Sequence, residues 1–304
     1  MKPFLRDILF TFLLCLSLIG ILEIAIGKTM TTRSYKDWYM TEHADKIKIL
    51  LLGNSLFENS FDPHVFGDSV FDGASDARSL WYDVQILKKY APNMSHLTTV
   101  IIPLVASAYA DPPSQPFFQY FYARFMGIPV GKNPWQYSSL LSGHFTFHDL
   151  TPVTVSECVN DRKDYLHDWY LDSLGYSPLY HVWNGYLRTV DIPTSEEARC
   201  NRPVYLNCIA DIAQYCEAHG VRLICIMPPV ADIYLESIDS QIINALDSCL
   251  CQLSKSHNLE YRFYHNDPSF RADSLYADEL HLNYQGASLF ARRVKEDFKL
   301  KNSR

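Results

Sequence analysis

The chain has 304 residues, enough to bury a substantial core, and its 48% apolar content is that of a globular protein rather than a disordered one. A formal net charge of −7, with no run of Lys or Arg, argues against a nucleic-acid partner. Nothing repeats at a fixed period and no low-complexity tract stands out, so repeat and fibrous architectures are excluded.

Residues 8–22 are uncharged and strongly apolar, with Lys2 and Arg6 ahead of them. Continued through Glu23 to Ile26, the stretch is just long enough to span a bilayer, which predicts an N-terminal membrane anchor over 1–27. The alternative is a cleaved signal peptide with Ala25-Ile26-Gly27 as its small-residue site. The anchor is preferred because the apolar stretch runs past the usual length of a signal h-region. Both readings place the bulk of the chain outside the cytoplasm. Residues 28–46, polar and aromatic, are expected to form a linker.

The run Ile47-Lys48-Ile49-Leu50-Leu51-Leu52 predicts a buried strand that breaks on Gly53-Asn54-Ser55. Glycine permits a sharp turn and asparagine tolerates unusual dihedrals, so Ser55 falls just past a strand's carboxyl end. A second short strand is expected around 69–72, broken by Gly73-Ala74-Ser75. Residues 78–91 predict a helix, and Thr98 to Val105 a third, β-branched strand despite Pro103.

From about 108 to 200 the alternation dissolves into a region rich in proline and polar turns. It holds 18 of the chain's 42 aromatic residues and reads as one long insertion or lid. Packing is the plain reading of those aromatics; sugar stacking or an acyl-chain groove is the sharper one. Order resumes with a helix over 203–219, entered by Pro203 and closed by Gly220. A fourth strand over 221–227, a helix over 235–256, a fifth strand over 259–264 and a last helix over 284–299 complete the chain. Strands alternating with helices predict an α/β fold with a parallel sheet covered on both faces.

A serine hydroxyl needs an adjacent base to act as a nucleophile, and a carboxylate fixes that base's tautomer. Ser55 early in the chain, with Asp278-Glu279-Leu280-His281 late in it, supplies the three parts. Asp278 and His281, three apart in a turn, can meet locally, and a parallel sheet brings both to the edge that carries Ser55. Tetrahedral intermediates also need oxyanion donors. The backbone N–H groups of Ser55 and Gly73 are the candidates.

These residues resemble the SGNH (GDSL-type) hydrolase superfamily. Gly53-Asn54-Ser55 is similar to its first block, Gly73 to its second-block glycine, and Asp278-Glu279-Leu280-His281 to its final Asp-x-x-His block. The resemblance covers roughly 45–105 and 203–300. It implies a flavodoxin-like three-layer α/β/α sandwich of about five parallel strands, preceded here by the transmembrane helix and interrupted by the insertion. It further implies Ser55 as nucleophile, His281 as base and Asp278 as orienter, with no cofactor. The family's third block, Gly-x-Asn-Asp, has no counterpart; Pro103-Leu104-Val105-Ala106-Ser107 stands in its place. The side-chain donor must then come from elsewhere, with Ser107 and Asn184 as candidates.

This departure, the anchor and the insertion make the chain similar to a membrane-tethered branch that includes the D-alanyl-lipoteichoic acid transfer and alginate O-acetylation proteins. That likeness implies a single-pass protein of a bacterial cytoplasmic membrane, with its catalytic domain on the periplasmic side. Its substrate would be a cell-surface polysaccharide or other acylated molecule, and a membrane-bound O-acyltransferase its partner. The expected reaction is acyl transfer or ester hydrolysis through an acyl-Ser55 intermediate. A non-catalytic glycan-binding or assembly subunit that keeps the fold is the alternative.

Other features carry less. Phe57 stands where an α/β-hydrolase elbow would need its second glycine. His144, His148 and Asp149 have metal-ligand spacing but no fourth partner, and no phosphate-cradling loop occurs. In an oxidising compartment, Cys158 with Cys200 is the expected disulfide.

Overall fold

A computed structural model of the chain describes residues 2–27, 32–108, 116–138, 171–186 and 192–300. Its centre is a sheet of short strands: β1 (Ile49–Leu51), β2 (Val70–Asp72), β3 (Thr99–Pro103), β4 (Arg222–Met227) and β5 (Leu259–Phe263). The first three are buried throughout and β4 is buried after its first residue, as strands covered on both faces must be. All pairings are parallel, in the order β2-β1-β3-β4-β5. That is the flavodoxin-like order, and its switch point lies between β1 and β3.

Helices cover both faces. Ile49, Leu51, Ile101, Ile224 and Ile226 point to one side, where they meet Phe290, Ala291 and Val294 of α9 (Tyr284–Asp297). The alternate residues Leu50, Val100, Ile102, Leu223 and Cys225, also buried, point to the other. The helices packed together on that side are α4 (Leu80–Tyr90), α6 (Ser195–His219) and α8 (Ser240–Ser256). The α/β sandwich expected from the alternating pattern is therefore present.

Several boundaries differ from expectation for local reasons. Helix α6 begins at Ser195 rather than Pro203, because Thr194 and Glu197 form a reciprocal capping box that satisfies the first turn. Pro203 is carried inside the helix, and Gly220 ends it in the left-handed region at φ 67°. The helix expected over 235–256 is two, α7 (Asp232–Ser237) and α8. The chain turns extended at Ile238, and Asp239 caps the second helix by accepting from the Gln241 N–H. Residues 28–46 are not all linker, since Thr32–Glu42 form α2 and Tyr39 stacks on Phe71 with centroids 4.1 Å apart.

Two compact units divide the chain, one formed by Met1–Asp37 with Pro113–Tyr165, the other by Trp38–Pro112 with Leu166–Arg304. The first holds α1 (Lys2–Gly27) and α5 (Pro116–Met126). Within it, the Ser138 hydroxyl donates to Glu23 at 2.8 Å and the Arg33 guanidinium lies over the Phe121 ring at 4.9 Å. Helix α1 exposes its large apolar side chains and is long and apolar enough to cross a membrane, a test that a signal sequence also passes. The second unit holds the sheet. Within it, the segment 171–186 touches the end of β2, where the Leu174 carbonyl accepts from the Asp72 N–H at 2.8 Å. That bond satisfies one N–H of a strand edge that would otherwise stay open.

Candidate active site

The position of Ser55 is built by a turn that only glycine fits. Gly53 follows β1 at φ 124°, and a Cβ there would lie 2.3 Å from the Pro103 ring on the neighbouring strand. Asn54 then caps the four-residue helix α3 (Ser55–Glu58), its side chain accepting from the Leu56 N–H. Ser55 therefore stands at the carboxyl edge of β1, beside the switch point.

His281 reaches it from a tight loop before α9. The Ala277 N–H donates to the His281 carbonyl at 2.8 Å, and Tyr276 bridges to Leu282. The Leu282 N–H donates to the hydroxyl of buried Ser60 at 3.0 Å, which ties this loop to the turn after α3. Beneath the pair, Phe61 packs on Phe57 at 5.0 Å and on Phe290 of α9 at 5.4 Å. The elements that carry serine and histidine thus share one aromatic core.

The outcome is a continuous relay. His281 Nε2 lies 2.8 Å from Ser55 Oγ, and His281 Nδ1 lies 2.9 and 3.0 Å from the two Asp278 oxygens. A carboxylate only accepts, so the imidazole proton sits on Nδ1 and Nε2 is left to accept from the serine hydroxyl. Asp278 also accepts from the Leu280 and His281 N–H groups at 2.9 and 2.8 Å. Burial alone would raise its carboxyl. The His281 hydrogen bond, the imidazole charge and the two backbone donors outweigh burial and hold it down at about 2.

Gly73 requires a correction. Its N–H donates to the Leu51 carbonyl at 2.9 Å, extending the β1–β2 ladder, and is not available to an oxyanion. The Ser55 N–H, at the first turn of its helix, makes no hydrogen bond among the described residues. Of the two side-chain donors considered, Ser107 lines the same cavity as Ser55 and His281. Asn184 does not; it is exposed, and its carbonyl oxygen accepts from the Tyr186 N–H.

Two supports were not foreseen. The first is a buried ion pair, Arg78 with Asp83 at 2.8 Å. Asp83 accepts from the Gly53 N–H at 3.0 Å, while Arg78 donates to the Gly73 carbonyl at 2.6 Å. The pair clasps the loops after β1 and β2 together. Burial pushes the Asp83 carboxyl up to about 6, against the lowering pull of Arg78 and the Gly53 N–H. Its sequence signal was a charge on the face of α4 that also carries the buried Leu80, Val84 and Leu87. The second support is buried Tyr205, whose hydroxyl accepts from the Val105 N–H at 3.1 Å and donates to the Pro103 carbonyl at 3.3 Å. It fixes the segment that follows β3, residues 104–107, beside the cavity.

Among the described residues, no group of three or more His, Cys, Asp or Glu side chains gathers as a metal site would need. His144, His148, Asp149 and Cys158 lie outside the described residues.

No protein-family model matches the chain, and no curated protein does. Solved structures with a distant likeness include a protein provisionally described as a platelet activating factor from Streptococcus pneumonia, at 10% identity and TM-score 0.45, covering 93% of this chain and 98% of that one. Another is a provisionally described acylhydrolase from Bacteroides fragilis, at 9% identity and TM-score 0.41, covering 83% of this chain and 86% of that one.

Proposed function

We propose that the chain is a serine-dependent enzyme of SGNH type that makes and breaks esters through an acyl-Ser55 intermediate. The observation that carries this is the Ser55–His281–Asp278 relay, closed at 2.8 Å and 2.9 Å at the carboxyl edge of a parallel sheet. In the first step Ser55 Oγ attacks the ester carbonyl carbon while His281 Nε2 takes the hydroxyl proton. The tetrahedral oxyanion is met by the Ser55 N–H, with the Ser107 hydroxyl as the second donor on the cavity wall. Collapse expels the alcohol, which leaves with the proton from His281. In the second step His281 deprotonates the acceptor, which attacks acyl-Ser55 and releases the enzyme.

Water as acceptor gives hydrolysis, and a sugar hydroxyl gives transfer. A helix such as α1, retained as an anchor, would hold the site beside membrane-linked donors and favours transfer to a cell-surface polysaccharide. That placement, with a membrane-bound O-acyltransferase as partner, rests on the family resemblance. A binding subunit without turnover has no use for a relay with these distances. A serine-directed fluorophosphonate labels the wild type and leaves Ser55→Ala unlabelled; equal labelling of both removes the mechanism.

A further inference from the structure

A cavity of about 180 Å³ opens at Ser55 and His281, between the ends of β1, β3 and β4. Besides Ser107 and His265, its walls away from the relay are apolar, among them Leu104, Met227, Tyr234, Leu235, Ile238 and Ile243. These apolar side chains, Leu235 excepted, are buried. A polyhydroxylated sugar here would lose more hydrogen bonds to water than Ser107, His265 and the Tyr234 hydroxyl could replace. An acetyl group would meet too little of the wall, since an engineered apolar cavity of roughly 150 Å³ takes up a whole benzene molecule. Resting on the acyl-Ser55 reading above, we infer that this cavity is the acyl subsite and that it selects unbranched medium-length chains, of about six carbons, over acetyl.

With the acyl chain in this cavity, the acceptor would approach Ser55 from outside it. The group the enzyme carries would then be greasier than the resemblance suggests, and the alcohol would stay at the rim. Each methylene drawn from water into the cavity adds about 0.8 kcal/mol, close to fourfold in kcat/KM, until the cavity is full.

The test uses the full chain in lipid nanodiscs and a series of p-nitrophenyl esters, acetate to decanoate, in which the leaving group never changes. The expected profile climbs at least tenfold from acetate to hexanoate and falls by decanoate. A flat profile, or one that declines from acetate, overturns the inference. Leu235→Trp and Val105→Trp fill the cavity from two different elements at half-buried positions. Each is expected to lower the ratio of hexanoate to acetate turnover at least tenfold, and an unchanged ratio in both overturns the inference. If no ester is turned over at all, the catalytic reading fails by itself and binding decides the subsite. Hexanoic acid bound by the wild type and lost in Leu235→Trp keeps it; no binding by either removes it.

Discussion

At Asp278, two backbone N–H groups and one imidazole converge on a single carboxylate, which explains both its low pKa and its hold on His281. Its folded value of about 2 lies below the ordinary 3.8, so the stability it contributes is complete above about pH 4 and lost as pH falls through 2. That contribution is on the order of 2 kcal/mol. Denaturant unfolding of the wild type and Asp278→Asn therefore gives a stability gap at pH 6 that closes between pH 4 and pH 2. A gap independent of pH would contradict the assignment. Asp278→Asn also presents the wrong imidazole tautomer to Ser55, and kcat for ester turnover is expected to fall by about 10³- to 10⁴-fold with little change in KM. The relay residues were legible in the sequence because their chemistry is local: Asp278 and His281 share one turn, and Ser55 ends one strand. Gly73 misled for the opposite reason. The sequence offers its N–H as an oxyanion donor, but once β1 and β2 pair that N–H donates to the Leu51 carbonyl.

The loops that carry these residues are held by contacts between elements, and here sequence reading fell short. Leu80, Val84 and Leu87 mark the buried face of α4, yet Asp83 on that face finds Arg78 and the Gly53 N–H only once the chain has folded. Removing one partner leaves a buried charge uncompensated. Asp83→Asn or Arg78→Met alone is expected to cost about 3–5 kcal/mol in urea unfolding, and the double substitution less than the sum. Simple additivity would show that the two do not act as a pair. Phe61→Ala removes the ring shared by the serine and histidine elements and is expected to cost about 3–5 kcal/mol. It should also slow ester turnover, whereas Phe263→Ala on the edge strand β5 should not. Strands β1 and β3 could be read directly, because burial on both faces demands unbroken bulky runs. The start of α6 could not, because Pro203 resembles a first-turn proline while the capping box at Thr194 and Glu197 begins the helix eight residues earlier.

Across the whole molecule, the sheet edge that carries Ser55 and His281 lies in the unit of Trp38–Pro112 and Leu166–Arg304, and the apolar N-terminal helix lies in the other unit. Retention of α1 as an anchor predicts that protein recovered from native membranes has an intact mass that includes residues 1–27 and resists alkaline extraction. Loss of those residues would identify α1 as a signal sequence. The alternation of strands and helices made the sheet, and the edge where Ser55 and His281 meet, readable from sequence. The insertion was less so: Phe118, Phe121, Tyr122 and Phe125 stand at helical spacing and lie in α5, a helix the sequence reading did not separate from the surrounding turns. The proposed mechanism turns on one covalent bond, between the acyl carbon and Ser55 Oγ. Acid quenching during steady-state turnover of an activated acyl ester, followed by digestion and mass spectrometry, is predicted to find the acyl group on the peptide that contains Ser55. Product released with no acyl group on Ser55, or with the acyl group on another residue, would contradict it.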